Sequence, residues 1–182
     1  MNTPSTRILV GQVGRVFWMR VDGKGTHLNS LQARNAFQGV MARGVHDLVV
    51  DLERCPMMDS TFLGMLTGAA LSVKKDASGG TLSIVNANQR NIQLLTSLGL
   101  NHILDLDVEG RLWASERAQA ARALKICEEA AACSKEVQTQ HILDAHQTLS
   151  GISDENECRF RDVIDFLEKE LHAQTASSPV PA

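Results

Sequence analysis

Apolar residues in the first 110 positions follow two alternating periods. Short runs of β-branched and aromatic residues at 8–10 and 16–21 flank a turn at Gly14 and predict a hairpin of two strands. Apolar residues then recur at helical spacing over 28–41, and a glycine at position 44 is expected to end this first helix. The run 48–52 is typical of a strand buried on both faces.

The same alternation continues to residue 106. A second helix is predicted over 60–75, a strand over 81–85, a third helix over 91–98 and a last short strand over 103–106. The order β-β-α-β-α-β-α-β is typical of the α/β class. It predicts a mixed sheet of four to five strands with helices packed mainly on one face.

From residue 111 onward the pattern is helical only. Residues 113–149 predict one long helix, or two with a break near Cys133, and a further helix begins near Asp154. The apolar residues of this last helix form one stripe, made of Phe160, Val163, Ile164, Leu167 and Leu171. We expect the stripe to pack on the preceding helix as a hairpin, or else to form a homodimer or bind a partner.

These patterns divide the chain into three parts. Residues 1–110 form an α/β domain, 111–174 a helical extension that we expect to be a hairpin, and 175–182 a disordered tail. The composition changes this picture little. The chain has 18 basic and 21 acidic residues in 182, and its net charge is −3 without clustered Lys or Arg, so nucleic acid is not an expected partner.

Location and redox state follow from what the sequence lacks. No apolar stretch is long enough to cross a bilayer and no export signal precedes the first strand, so we expect a cytoplasmic protein without membrane insertion. The four cysteines contain no Cys-x-x-Cys pair and are expected to be reduced structural thiols.

The sequence shows no catalytic, cofactor or metal motif. His141 and His146 are five residues apart, about 140° around a helix, so they cannot share a metal ion as an i, i+4 pair can. A solvated or capping role is expected for both. No serine lies in a Gly-x-Ser-x-Gly elbow, and residues 23–26 do not form a phosphate-binding loop. We therefore expect no enzyme activity, no cofactor and no metal site.

One segment carries candidate chemistry. A buried strand ends at Asp51, a loop turns at Pro56, and Asp59, Ser60 and Thr61 follow at the start of the second helix. The unpaired N–H groups and the dipole at a helix N-terminus favour an anion there. Ser60 could accept a phosphoryl group, which adds about −1.5 to −2 charges. Alternatively, Asp59 or Ser60 merely caps the helix.

Three stretches resemble a known family: Asp51-Leu52, the segment from Met58 to Gly64, and Leu98-Gly99-Leu100. Over about residues 7–108 the chain resembles the STAS domain of bacterial anti-sigma factor antagonists. In that family the serine after the aspartate is phosphorylated by a serine kinase that is also the anti-sigma factor, and a PP2C-type phosphatase reverses the reaction. The resemblance implies that Ser60 is the phosphoacceptor.

The resemblance also implies which residues surround the phosphoacceptor. Asp59 and Thr61 flank it, and Thr26 stands where the family usually has an aspartate at the entry to the first helix. The implied function is a phosphorylation-switched module that docks on the anti-sigma factor kinase. Four residues would form the apolar part of its binding surface, although Phe62 also fits the core: Met57, Met58, Phe62 and Met65.

A second hypothesis keeps the family but not the switch. The protein would be a constitutive STAS scaffold or adaptor subunit of a transport or signalling complex, with Ser60 as a simple helix cap. Its working interface would then be the C-terminal helices.

Overall fold

A six-stranded sheet organises the computed structural model, which describes residues 6–76, 79–128 and 133–176. The strands are β1 (Arg7–Val13), β2 (Val16–Asp22), β3 (Asp47–Asp51), β4 (Thr81–Val85), β5 (Asp105–Leu106) and β6 (Lys125–Ile126). Their order is β5-β4-β3-β2-β1-β6. Neighbours from β2 to β5 are parallel, whereas β1 is antiparallel to both β2 and β6. The predicted α/β class with a mixed sheet is confirmed.

The sheet has six strands, one more than the four to five that the sequence predicts. The missed strand, β6, is two residues long and exposed, and it forms by pairing with Leu9 and Val10 of β1. Two residues carry no periodic signal, so only the tertiary pairing identifies them as a strand.

Three helices cover one face of the sheet: α1 (His27–Met41), α2 (Ser60–Lys75) and α3 (Gln89–Ser97). Strand residues that alternate along β2, β3 and β4 contribute to this core, among them Phe17, Met19, Leu48, Val50, Leu82 and Ile84. The intervening residues Trp18, Val49 and Val85 face the opposite side and pack with Ala120 of α4 (Ala114–Ala123). The sheet is thus covered on both sides, with most helices on one of them.

A buried carboxylate ties the carboxyl ends of the parallel strands together. Oδ2 of Asp51 accepts hydrogen bonds from Nε and Nη2 of Arg20 at 2.9 and 2.7 Å. Its Oδ1 accepts from Nδ2 of Asn86 at 2.9 Å. A carboxylate without solvent contact is tolerated when it is paired in this way. Asp51 therefore fixes the strand ends from which the loop to α2 departs.

The C-terminal region contains two long helices, α5 (Lys135–Ser150) and α6 (Asp154–Ala176), joined by residues 151–153. They pack against each other, and α5 also packs on α2. Phe160 and Leu167 of the α6 stripe are buried, and Val163 and Ile164 pack against the main core. We call α5 and α6 together the hairpin.

Within the described part of 113–149, the structure has two helices, α4 and α5, rather than one long helix, as the second alternative predicted. The chain leaves α4 at Leu124, pairs as β6 with the sheet edge, and begins α5 after Ser134, whose hydroxyl accepts from the Val137 N–H at 3.2 Å. Residues 114–126 therefore pack with the sheet rather than with the hairpin. Of the expected disordered tail, Thr175 and Ala176 are helical, and 177–182 lie outside the described residues.

Two features are absent from the described residues. No helix there is long and apolar enough to cross a membrane. Over the same ranges, no three His, Cys, Asp or Glu side chains lie close enough together to hold a metal ion.

Candidate functional site

The segments that enter α1 and α2 run side by side. The Gly25 N–H donates to the Met57 carbonyl at 3.1 Å, and the Asp59 N–H donates to the Gly25 carbonyl at 2.9 Å. A Cβ on Gly25 would lie 2.8 Å from a ring carbon of Phe62, so only glycine permits this approach. The pairing places Thr26, the next residue, beside the start of α2.

Asp59 caps α2 and links it to α1. Its Oδ1 accepts from the Phe62 N–H at 2.9 Å, and its Oδ2 accepts from the His27 N–H at 2.8 Å. One carboxylate thus satisfies backbone donors at two helix N-termini. The alternative that Ser60 caps the helix is wrong, because Asp59 takes this role and leaves the Ser60 hydroxyl free for another contact.

That contact is His146 of α5. The Ser60 Oγ lies 2.9 Å from His146 Nε2, and His146 Nδ1 lies 2.8 Å from the Ile142 carbonyl oxygen. Because a carbonyl can only accept, the ring hydrogen is on Nδ1. In the neutral ring, Nε2 then accepts from the Ser60 hydroxyl.

The environment of this pair is mostly enclosed. Ser60 is half-buried as the first residue of α2, and His146 is only 5% exposed. The imidazole also meets the ring of Phe160 edge-on at 5.6 Å between centroids. The expectation that His146 is solvated or a simple cap is therefore wrong.

A second histidine of α5 makes an analogous contact with α1. Arg34 Nη1 donates to His141 Nδ1 at 3.3 Å, so Nε2 carries the hydrogen and donates to the Ser30 Oγ at 2.8 Å. Burial and the Arg34 charge lower the pKa of His141 to about 4, against the opposing effect of Asp144. His141 is neutral at physiological pH and is not solvated either.

The expected apolar binding surface does not exist in this conformation. Phe62 is fully buried and Met58 is 3% exposed, because the Gly25 segment covers both, and Met65 is 6% exposed beneath α5. Met57 remains half-buried, and Thr61 is buried in the first turn of α2. Met58 and Met65 thus offer no exposed surface in this conformation, and Phe62 takes the core position that was the alternative for it.

Thr26 and Asp59 lie at the adjacent starts of α1 and α2, and His146 was not expected beside Ser60. The two partners are 86 residues apart in the sequence. Their contact requires α5 to pack on α2, and no local pattern of the sequence reports that packing.

Comparisons with known proteins concern the α/β region. A family model described as Mlab, STAS domain matches residues 8–106, more than half of the chain and nothing after β5. The anti-sigma-B factor antagonist of Bacillus subtilis (strain 168) is 38% identical over 63 residues, which are 35% of this chain and 56% of that protein. The matched stretch therefore spans little more than half the length of this curated relative.

Two solved structures share the fold. A candidate anti-sigma factor antagonist from Thermotoga maritima has a TM-score of 0.51 and 20% identity, over 60% of this chain and 90% of that one. An anti-sigma factor antagonist from Mycobacterium paratuberculosis has a TM-score of 0.51 and 21% identity, over 59% of this chain and 91% of that one. At such identities the likeness concerns the fold alone. With the family model matched over more than half its length, the chain belongs to the STAS domain family.

Proposed function

We propose that the protein is an anti-sigma factor antagonist that binds an anti-sigma factor serine kinase when Ser60 is unmodified. The kinase phosphorylates Ser60, and a PP2C-type phosphatase removes the phosphoryl group. The observation that carries this proposal is the position of Ser60. It follows the capping Asp59 as the first residue of α2, within the segment that the STAS family model matches.

The electrostatics of this position suit a reversible anion. A helix N-terminus stabilises a nearby negative charge by about 0.3 to 1 kcal/mol, too little to restructure the fold. A phosphoserine brings about −1.5 to −2 charges, so the surface around Ser60 becomes strongly negative. Asp59 is already there as a second negative group, and both of its oxygens are engaged by backbone donors.

The proposed consequence is a switch in protein binding, not catalysis. A hundredfold loss of affinity corresponds to about 2.7 kcal/mol. Like-charge repulsion and an unpaired phosphate at an interface supply energies of this size. The unmodified form would therefore bind the anti-sigma factor, and the phosphorylated form would release it.

Site-mapped mass spectrometry tests the proposal. The protein is incubated with ATP and each anti-sigma factor serine kinase from its own genome, and fragment spectra locate any added phosphate. We expect a phosphate on Ser60 that is absent in Ser60→Ala and retained in Ser115→Ala. Ser115 is a fitting control because it is exposed near the start of α4, on the other side of the sheet. Phosphate on another residue only, or on none, would refute the assignment.

One observation favours the scaffold as a second candidate. The Ser60 hydroxyl already bonds to His146, which is a structural use of that side chain. The hairpin would then be the interface, and Phe166 and Val137 are 62% and 48% exposed on it for a second copy or another partner. Phe166→Asp should abolish partner binding by a scaffold and leave partner binding by the switch unchanged.

A further inference from the structure

The hairpin lies on the surface from which Ser60 would be reached. Helix α5 crosses α1 and α2 and places His146 against Ser60, His141 against Ser30 and Ala145 against Gly64. The Ser60 hydroxyl is thus occupied by a segment of the same chain. A kinase active site that takes this hydroxyl needs the space that α5 fills. We call this surface of α1 and α2 the Ser60 face.

The contact at Gly64 shows that α5 packs on α2 in one defined position, which we call its seat on the Ser60 face. A Cβ on Gly64 would come within 2.2 Å of the Ala145 carbonyl oxygen and 2.6 Å of its carbon. The backbones of α2 and α5 can approach this closely only because Gly64 has no side chain. The hairpin is therefore fitted to α2 at this point, and a side chain there would lift it off.

Away from Gly64, polar contacts contribute to the packing of α5 on α1 and α2. They include hydrogen bonds at Ser60 and Ser30 and an ion pair between Arg34 and Asp144 at 3.6 Å. Water can replace each of these when the helices separate. Beside them lies a half-open cleft of about 220 Å³, lined in part by Phe37, Met65 and Thr148. Because this cleft opens to solvent, α5 leaves part of the face uncovered.

A phosphoryl group on Ser60 is incompatible with this seat. Phosphorylation replaces the hydroxyl hydrogen that His146 Nε2 accepts, and it puts phosphate oxygens where the imidazole now lies, 2.9 Å from Oγ. The Ile142 carbonyl holds the ring hydrogen on Nδ1, so Nε2 turns a lone pair toward the anion. In this neutral tautomer the docked ring offers the phosphate no donor.

We propose that the hairpin is a displaceable internal occupant of the Ser60 face, and that a partner protein or a phosphoryl group engages this face only after the hairpin has left it. For the partner protein, this inference rests on the proposed function. The partner that fits is one that presents a helix, because α5 shows what the face accepts: a small residue against Gly64 and polar side chains against Ser60 and Ser30.

The first experiment does not depend on any kinase. Phosphoserine is installed at position 60 of the full chain during translation, and hydrogen exchange is followed by mass spectrometry. We expect amide exchange across 139–149 of α5 to rise at least tenfold while the strands keep their protection. Phosphoserine at position 115, also near a helix N-terminus, should leave α5 unchanged. Unchanged or greater protection of α5 with phosphoserine 60 would overturn the proposal, since His146 would then hold the phosphate in place.

The second experiment locks the hairpin. A Cβ on Gly68 would lie 4.0 Å from the Thr148 Oγ1, so Gly68→Cys with Thr148→Cys can form a disulfide across the seat. Serine replaces the less buried thiols, Cys127, Cys133 and Cys158. The oxidised protein should be phosphorylated on Ser60 at least tenfold more slowly than the same protein after reduction.

The phosphorylation rates of the oxidised and reduced forms distinguish failure of the occupant proposal from failure of the proposed function. Equal phosphorylation rates in the oxidised and reduced forms would overturn the occupant proposal and leave the proposed function intact. No phosphorylation in either form would refute the proposed function, and the exchange experiment would still decide whether phosphate and hairpin exclude each other.

Discussion

The sheet with its covering helices and the hairpin are held by different kinds of contact. In the sheet region, large side chains such as Trp18, Phe37 and Phe62 are excluded from solvent. The hairpin has an apolar anchor at Leu149 and Phe160, but α5 meets the Ser60 face through histidines, an ion pair and a glycine contact. We expect the first region, which we call the frame, to unfold as a unit and the hairpin to separate from it.

The largest expected effect is a loss of stability when a core residue of the frame is truncated. Phe62→Ala should lower the free energy of unfolding by about 3 to 5 kcal/mol, because it empties a fully buried site between α2 and the sheet. Urea denaturation followed by circular dichroism measures this loss. Leu28→Ala, at a residue 83% exposed, is the control and should change little. A small effect at Phe62 would mean that the frame is not the rigid part.

A pair of glycines tests the seat of α5. Gly64→Ala should weaken hairpin docking by about 3 kcal/mol, at the upper end for overpacking, because the new Cβ meets the Ala145 backbone. In Gly68→Ala the new Cβ would meet no atom outside its own stretch of helix closer than 4.0 Å. This substitution should stabilise the protein by up to about 1 kcal/mol through helix propensity. Hydrogen exchange of α5 and thermal unfolding measure both changes. Equal effects of the two substitutions would show that α5 is not seated on Gly64.

Lowering the pH should weaken the docking of the hairpin, because His141 becomes protonated. Its pKa is lowered from 6.5 to about 4 in the folded protein, so protonation favours states in which it is released. The stabilisation is complete above pH 6.5, and it is lost as the pH falls toward 4. At pH 5 the loss is about 2 kcal/mol. Exchange of α5 measured from pH 7.5 to 5 should show this slope after correction for the intrinsic rate. His141→Gln should flatten the slope, and an unchanged slope in that variant would assign it to other groups.

The smallest expected effect lies at the serine. Ser60→Ala removes the hydrogen that His146 Nε2 accepts, which should weaken hairpin docking by about 1 kcal/mol. Because the hairpin competes with the partner, this variant should bind the partner about fivefold more tightly than the unmodified wild type. Isothermal titration calorimetry measures the difference, with Ser115→Ala as the control. Weaker binding by Ser60→Ala would indicate that the partner itself needs the hydroxyl.

Much of the frame could be predicted from local sequence. Helix α2 has its predicted limits because Asp59 is a strong cap and the apolar residues that follow keep helical spacing. The strand β4 likewise matches its prediction over 81–85, since its residues are bounded by glycines on one side and polar residues on the other. Such elements carry their own signals.

What the sequence could not show depends on tertiary packing. Strand β6 exists because the edge of β1 pairs with it, and Met58 and Met65 are buried because Gly25 and α5 cover them. The bond between Ser60 and His146 joins residues 86 positions apart. The candidate phosphoacceptor was therefore predictable from its local motif, whereas its histidine partner was not.

The affinity of the anti-sigma factor for this protein, with and without a phosphate on Ser60, tests the central claim most directly. Titration calorimetry with the unmodified chain and with phosphoserine at position 60 measures both values in one buffer. The account predicts that the phosphorylated form binds at least a hundredfold more weakly, about 2.7 kcal/mol. Equal affinity of the two forms would contradict it.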